Sequence, residues 1–179
     1  MARRHVEQLY TGKHLGLNSI NGWEFATRVR GSGVVIVVAV TKQDELILTE
    51  QFRPPINKRV VDWAAGLSGD ITGEEEESLL TAAQRELLEE TGYVSDDWEY
   101  CFTGPSSAGM TTEMLSFFVA RKCYKKGKGG GDASEDIEVH LVPKSKARQW
   151  LKRKSTKRRC VDPKVYAGLG LLSLSTDDE

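Results

Sequence analysis

The segment RELLEETGY, residues 85–93, is the most informative part of this 179-residue chain. It closes a stretch, residues 76–91, in which apolar side chains recur at the three- and four-residue steps of an amphipathic helix. These apolar residues are Leu79, Leu80, Ala83, Leu87 and Leu88. Gly92 follows, and glycine commonly occupies the position just after a helix. We therefore predict one helix over residues 76–91 that ends at Gly92.

Three glutamates lie where this predicted helix disfavours them electrostatically. Glu86, Glu89 and Glu90 fall near its C-terminal end, where the helix dipole is negative. Glu86 and Glu90 are also i,i+4 neighbours, and such like-charge pairs cost about 0.2–0.5 kcal/mol. Arg85 is adjacent, but one guanidinium cannot neutralise three carboxylates. A divalent cation can, and oxygen ligands favour Mg²⁺ or Mn²⁺ over zinc. The alternative is a solvated acidic helix face.

The same segment resembles the second half of the Nudix box, R-E-U-x-E-E-x-G-U, where U is aliphatic or aromatic. Every fixed position of that pattern is present in RELLEETGY. The resemblance implies an α+β fold, an α/β/α sandwich with a mixed sheet and a loop–helix–loop catalytic motif. It further implies hydrolysis of a nucleoside diphosphate linked to another group, with magnesium or manganese held between the glutamates and a pyrophosphate.

The first half of the box departs from the family pattern. That pattern places a glycine 14 residues before Arg85, where this chain has Ile71. The best glycine is Gly66 in AAGL, residues 64–67, which implies an insertion of five residues within residues 68–76. Which glutamate of residues 74–77 has the structural role in the box is left open by the sequence.

The resemblance also assigns roles to the residues of the box. The backbone carbonyl of Ala65 becomes a metal ligand beside Glu86 and Glu90. Arg85 orients the glutamates, and Glu89 contributes to catalysis.

Two flanking segments are similar to ADP-sugar pyrophosphatases. The segment QFRPP, residues 51–55, resembles a strand end whose arginine, here Arg53, contacts the substrate's diphosphate or ribose. A guanidinium suits this role because it binds phosphate oxygens bidentately. The segment WEFATR, residues 23–28, resembles the N-terminal part of the human-type enzymes. That resemblance implies that Trp23 stacks on adenine and that Arg28 reaches the neighbouring subunit's site; the alternative for Trp23 is a position in the core.

The N-terminal resemblance implies a homodimer in which residues 1–30 form a β extension in dimer contact and residues 31–179 form the Nudix hydrolase domain.

Downstream, GDASEDIEV, residues 131–139, resembles the family's acidic loop. Its Glu135 is either the general base or a metal ligand. The expected reaction converts ADP-ribose to AMP and ribose 5-phosphate. Another nucleotide sugar such as GDP-mannose is the alternative substrate.

Composition leaves a second class of function open. The 25 basic and 26 acidic residues give a net charge of −1, so no global field steers the chain onto nucleic acid or a membrane. Residues 144–159, however, contain nine basic residues and no acidic one. This segment suggests a nucleic-acid or protein binding module as the competing interpretation.

The longest apolar run is far shorter than the roughly 20 residues of a membrane-spanning helix, and three widely spaced cysteines suggest free thiols. We therefore expect a cytoplasmic protein.

Strand and helix signals alternate along the chain in an order that favours α+β. Strands are predicted at residues 23–29, 34–40, 45–52, 98–102, 115–121 and 137–142, helices near 144–153 and 163–172, and a mobile glycine-rich loop at 125–131.

Overall fold

The computed structural model describes residues 5–31, 33–69, 76–131 and 136–174. None of the helices in these ranges is long and apolar enough to cross a membrane. The strands are β1 (Glu7–Thr11), β2 (Leu15–Ile20), β3 (Trp23–Arg28), β4 (Gly33–Thr41), β5 (Glu45–Arg53), β6 (Lys58–Asp62), β7 (Ala64–Ser68), β8 (Tyr93–Val94), β9 (Asp97–Pro105), β10 (Met114–Lys125), β11 (Ile137–Pro143) and β12 (Arg159–Val161). The helices are α1 (Leu79–Glu86), α2 (Ala147–Lys154) and α3 (Pro163–Leu174).

The described strands form two sheets. Strands β1, β2 and β3 make a separate antiparallel sheet at the N-terminal end. The other nine form a mixed sheet with the order β12-β6-β5-β4-β10-β8, in which β11 pairs with β5, β7 with β4 and β9 with β10. The β4–β10 and β6–β12 pairs are parallel. This mixed sheet with helices confirms the predicted α+β class.

Strand β4 is central because helices cover both of its faces. Its successive side chains point to opposite faces, and nearly all are buried, as expected of a continuous apolar run in an interior strand. One face packs with residues of α1, and the other with residues of α2 and α3. On the α1 face lie Val35, Val37, Ala82, Ala83 and Leu87; on the opposite face lie Ile36, Val38, Trp63, Leu151 and Val165. The result is the expected α/β/α sandwich.

The sheet splits between β4 and β5. These strands pair only at two positions, Ala39 with Ile47 and Val40 with Leu46. Beyond them β4 pairs with β7, whereas β5 pairs with β6 and β11. A cleft opens between the two halves and is lined by residues of β4, β6 and β7.

The predicted helix over residues 76–91 begins later than expected. Ser78 is its N-cap, because the side-chain hydroxyl accepts a hydrogen bond from the backbone N–H of Thr81 at 3.1 Å. After α1 the chain continues as a π-helical turn, Leu87–Thr91, and ends at Gly92 with φ of 72°. The helix end at Gly92 therefore agrees with the prediction.

The predicted mobile loop at residues 125–131 is instead bonded to the end of that helical segment. The backbone N–H of Gly130 donates to the carbonyl of Glu90 at 2.8 Å, and the Lys125 ammonium donates to the carbonyl of Thr91 at 2.8 Å. Carbonyls at a helix end lack partners within the helix, and glycines let another backbone approach them closely. The prediction of mobility was wrong because composition alone does not show what a glycine-rich segment packs against.

Part of the basic segment 144–159 points inward, toward a carboxylate on β5. Glu50 is fully buried. Its oxygens accept hydrogen bonds from Lys154 Nζ at 2.7 Å, Arg159 Nε at 2.8 Å and Arg59 Nε at 3.0 Å, and one lies 3.0 Å from His140 Nε2. Burial alone would raise the pKa of Glu50, but these partners, led by Lys154, outweigh it and lower the pKa to about 2.

Glu50 is expected to make the fold sensitive to acid. Because its pKa falls from 4.5 to about 2 on folding, its ionised form stabilises the fold above pH 4.5, and this contribution is lost as pH falls toward 2. The lost contribution is about 3 kcal/mol. In urea denaturation at a series of pH values, Glu50→Gln should lack this part of the acid dependence and be less stable at pH 7. Glu138→Gln, whose side chain is half exposed beside the same histidine, is the matched control. Equal pH slopes for Glu50→Gln and the unmodified protein would contradict the assignment.

Candidate active site

Arg85, in the last turn of α1, connects the acidic residues around it. Its Nε and Nη2 donate to the two carboxylate oxygens of Glu77 at 3.0 and 3.1 Å. Its Nη1 donates to Glu86 at 2.7 Å and to Glu89 at 3.2 Å, and Nη2 also donates to the Leu67 carbonyl at 2.9 Å. The guanidinium therefore fixes two glutamates of the helix relative to strand β7.

Glu77 has the structural position that the sequence left open. Its side chain is 3% exposed, and the hydrogen bond from Arg85 lowers the pKa of its carboxyl despite burial. The same hydrogen bond is the main cause that raises the pKa of Arg85. Of residues 74–77, only 76 and 77 belong to the described part of the chain.

The predicted metal-binding residues meet where the helix crosses β7. A Cβ added at Gly66 would overlap the carboxylate of Glu86, so only glycine allows that side chain to lie against the strand. Glu90 is buried, and one of its oxygens accepts a hydrogen bond from the Ala65 N–H at 3.1 Å. The structure thus brings Ala65, Glu86 and Glu90 together. Carboxylate oxygens beside a main-chain segment form a donor set that suits Mg²⁺ or Mn²⁺.

These residues border the cleft between the two halves of the sheet, which has a volume of about 650 Å³. Ala65, Gly66 and Glu86 line it together with Arg28 and Arg53. Arg53 is exposed at the end of β5. The cleft therefore combines carboxylates that suit a cation with guanidinium groups that suit phosphate oxygens.

Arg28 lines the cleft of its own chain. The family resemblance implied instead that it reaches a neighbouring subunit. Its Nε donates to Glu113 at 2.7 Å, and Glu113 lines the same cleft. Within a single chain, the end of the N-terminal sheet is thus already in contact with the candidate site.

Trp23 is neither in the core nor in this cleft. Its side chain is 65% exposed, and its Nε1 donates to the Gly109 carbonyl at 2.9 Å. With Phe25 it lines a separate hollow of about 540 Å³. The backbone N–H of Ala26 also donates to the Met110 carbonyl at 2.8 Å, so β3 is attached to the loop between β9 and β10.

Sequence reasoning missed an ionic cluster in the cleft. The Lys164 ammonium lies 2.9 Å from Asp62 and 2.7 Å from Asp162, and all three residues line the cleft. Burial raises the pKa of Asp62 to about 6, although Lys164 opposes this effect. Asp62 lies only three residues before the predicted ligand Ala65, so the sequence could have predicted that Asp62 is close to the site. No local pattern marks Lys164, which the start of α3 brings to the site.

Glu135, predicted as base or metal ligand, lies outside the described residues. Another group, Glu50, Glu138 and His140, has ligand atoms within 4.8 Å of one another. Distance alone would allow a metal there. Glu50 is, however, already neutralised by Lys154, Arg59 and Arg159, which would repel a divalent cation. Among the described residues, this group therefore suits a divalent cation less well than the predicted ligands Glu86 and Glu90.

Comparison with known proteins identifies related chains. The NUDIX domain model matches residues 29–163. The methanol dehydrogenase activator of Bacillus methanolicus is 31% identical over 147 residues, which cover 82% of this chain and 75% of that protein. The GDP-mannose pyrophosphatase of Escherichia coli (strain K12) is 31% identical over 134 residues, covering 69% of this chain and 65% of that protein.

A solved structure supports the fold. The crystal structure of an ADP compounds hydrolase superposes with a TM-score of 0.74 at 20% identity, covering 96% of this chain and 91% of that chain. The match of the domain model to most of the chain agrees with the RELLEETGY helix and its contacts across Gly66. The chain belongs to the Nudix family.

Proposed function

We propose that this protein hydrolyses the pyrophosphate bond of a nucleoside diphosphate sugar, with ADP-ribose as the first choice. Water and ADP-ribose would give AMP and ribose 5-phosphate. The observation that carries the proposal is the position of Glu86 and Glu90 against Ala65 and Gly66, beside a cleft that also contains Arg53. The names of two relatives, GDP-mannose pyrophosphatase and ADP compounds hydrolase, support the substrate class.

In this proposal Ala65, Glu86 and Glu90 would hold Mg²⁺, which would offset the negative charge of the diphosphate and polarise it. Arg85 positions Glu86 and Glu89 through its hydrogen bonds. Glu135 would accept the proton of the attacking water.

Arg53 and Arg28 would bind phosphate or ribose oxygens. The cluster of Lys164 with Asp62 and Asp162 supplies both donors and acceptors at the cleft wall, which suits the hydroxyl groups of a sugar.

We further propose a homodimer that uses residues 1–30. In support, β1 is exposed along its whole length, and the N-terminal sheet exposes several large apolar side chains. Light scattering should give twice the chain mass of 19.9 kDa, and a monomer would contradict this proposal.

GDP-mannose is the second candidate substrate because relatives named for it are 31% identical to this chain. Chromatography of the products from ADP-ribose, GDP-mannose and other nucleotide sugars, with and without Mg²⁺, distinguishes the two. We expect ADP-ribose to have the highest kcat/KM. A strong preference for GDP-mannose would reject the first choice but retain the reaction class.

A further inference from the structure

A basic groove, with a volume of about 730 Å³, shares no lining residue with the catalytic cleft. Its five basic residues are Lys58, Arg59, Lys157, Arg158 and Arg159, and among the described residues that line it none is acidic. On β6, Lys58 and Arg59 line this groove, whereas Val60 and Asp62 line the catalytic cleft. The two concavities therefore adjoin along that strand but share no lining residue.

The five cations differ in how far they are already neutralised. Arg59 is fully engaged, because its three nitrogens donate to the Glu50 carboxylate, the Glu50 carbonyl and Asp136. Arg159 donates to Glu50 through Nε alone. Lys58, Lys157 and Arg158 pair with no carboxylate within the described ranges. Buried Glu50 thus holds Arg59 and Arg159 on one side of the groove. The other three cations have no carboxylate partner among the described residues.

The turn that carries Lys157 and Arg158 is ordered by its own hydrogen bonds. The hydroxyl of Thr156 accepts from the backbone N–H groups of Arg158 at 3.3 Å and Arg159 at 3.1 Å. The backbone N–H of Arg59 donates to the Arg158 carbonyl at 3.1 Å, which ties the turn to β6. A fixed backbone lowers the entropy cost of binding an anion between these side chains.

We propose that the basic groove is a second anion-binding site that takes a short phosphate chain, either a free oligophosphate or the phosphates of a nucleotide. Three cations that line one groove and have no carboxylate partner in the described part of the chain match several phosphate charges. The groove volume lies within the range of small-molecule sites. Phe52, 44% exposed, forms part of the wall and offers a ring face to a nucleobase. Lys58 lies on the β5–β6 hairpin, and Lys157 and Arg158 lie on one turn. Because the cations come from only these two segments, they favour a short phosphate chain over a long nucleic-acid strand.

The test measures binding of inorganic tripolyphosphate and of ATP to the full-length protein by calorimetry, with EDTA present and at about 150 mM salt. The variant Lys157→Gln/Arg158→Gln removes two cations and keeps the turn, because its hydrogen bonds use backbone atoms of these residues. We expect affinity for both probes to fall at least about tenfold, since two charge-assisted hydrogen bonds are lost. Arg148→Gln/Lys152→Gln, on the exposed face of α2, removes the same charge and should change affinity less than about twofold.

The probes also distinguish the two sources of phosphate. Tighter binding of ATP than of tripolyphosphate, abolished by Phe52→Ala, would identify a nucleotide site, and equal binding a free-oligophosphate site. The proposal would be overturned by equal affinities of the groove variant and the unmodified protein, or by the absence of saturable binding. Binding of a single-stranded oligonucleotide more than about tenfold tighter than either probe would overturn it in favour of a nucleic-acid surface. Hydrolysis of ADP-ribose by Lys157→Gln/Arg158→Gln should be unchanged, so this test is independent of the proposed catalytic function.

Discussion

Glu90→Gln should lower Mg²⁺-dependent turnover of ADP-ribose by at least about 100-fold, because loss of even an outer partner of a metal ligand costs 10- to 100-fold. Glutamine removes the negative charge but keeps an oxygen that can accept the hydrogen bond from the Ala65 N–H. The fold should therefore remain intact while metal binding is lost. Initial rates over a range of Mg²⁺ concentrations, with thermal unfolding as a check of the fold, measure both effects.

Glu76→Gln is the control for this variant. Glu76 is exposed and precedes α1, so removal of its charge should leave the rate within about twofold. If Glu90→Gln retains turnover within about tenfold of the unmodified enzyme, Glu90 is not a metal ligand.

Arg85→Leu is expected to destabilise the protein by about 3–5 kcal/mol, because it leaves the nearly buried carboxylate of Glu77 without its guanidinium partner. For a chain of this size the midpoint of thermal unfolding should fall by roughly 10 °C. Arg121→Leu is the matched control. Arg121 pairs with Glu99 at the surface, where an ion pair contributes at most about 1 kcal/mol. A loss for Arg85→Leu no larger than that of the control would contradict the central position of Arg85.

Arg85→Lys separates positioning from stability. Lysine keeps the positive charge but lacks the planar fork that contacts Glu77, Glu86 and the Leu67 carbonyl together. We expect it to recover part of the lost stability but to need more Mg²⁺ for half-maximal rate. A normal Mg²⁺ dependence would show that Arg85 supports only the fold.

The parts of this molecule that the sequence predicts are local. Glu86 and Glu90 are i,i+4 neighbours on a helix, so their proximity follows from helical geometry. Gly66 was predicted from the AAGL segment, and the structure supplies its physical reason, since a side chain there would overlap Glu86. Long apolar strands such as β4 and β10 were also predicted because they carry strong hydrophobic patterns.

The parts that the sequence does not predict depend on distant residues. Strands β6, β7 and β12 are short and have mixed polarity, so no local period marks them. Asp62 and Lys164 are 102 positions apart, and only the fold brings them together. The basic segment 144–159 shows the same limit, because sequence alone could not separate Lys154, which neutralises buried Glu50, from Lys157, which remains in the basic groove.

The proposed function requires metal-dependent cleavage of a phosphoanhydride bond. Phosphorus-31 NMR of ADP-ribose with the unmodified protein tests it most directly. With Mg²⁺, the diphosphate signals should disappear and two phosphomonoester signals, from AMP and ribose 5-phosphate, should replace them; with EDTA the spectrum should not change. Persistence of the diphosphate signals of every nucleotide sugar tested in Mg²⁺ and Mn²⁺, or equal cleavage in EDTA, would contradict the account.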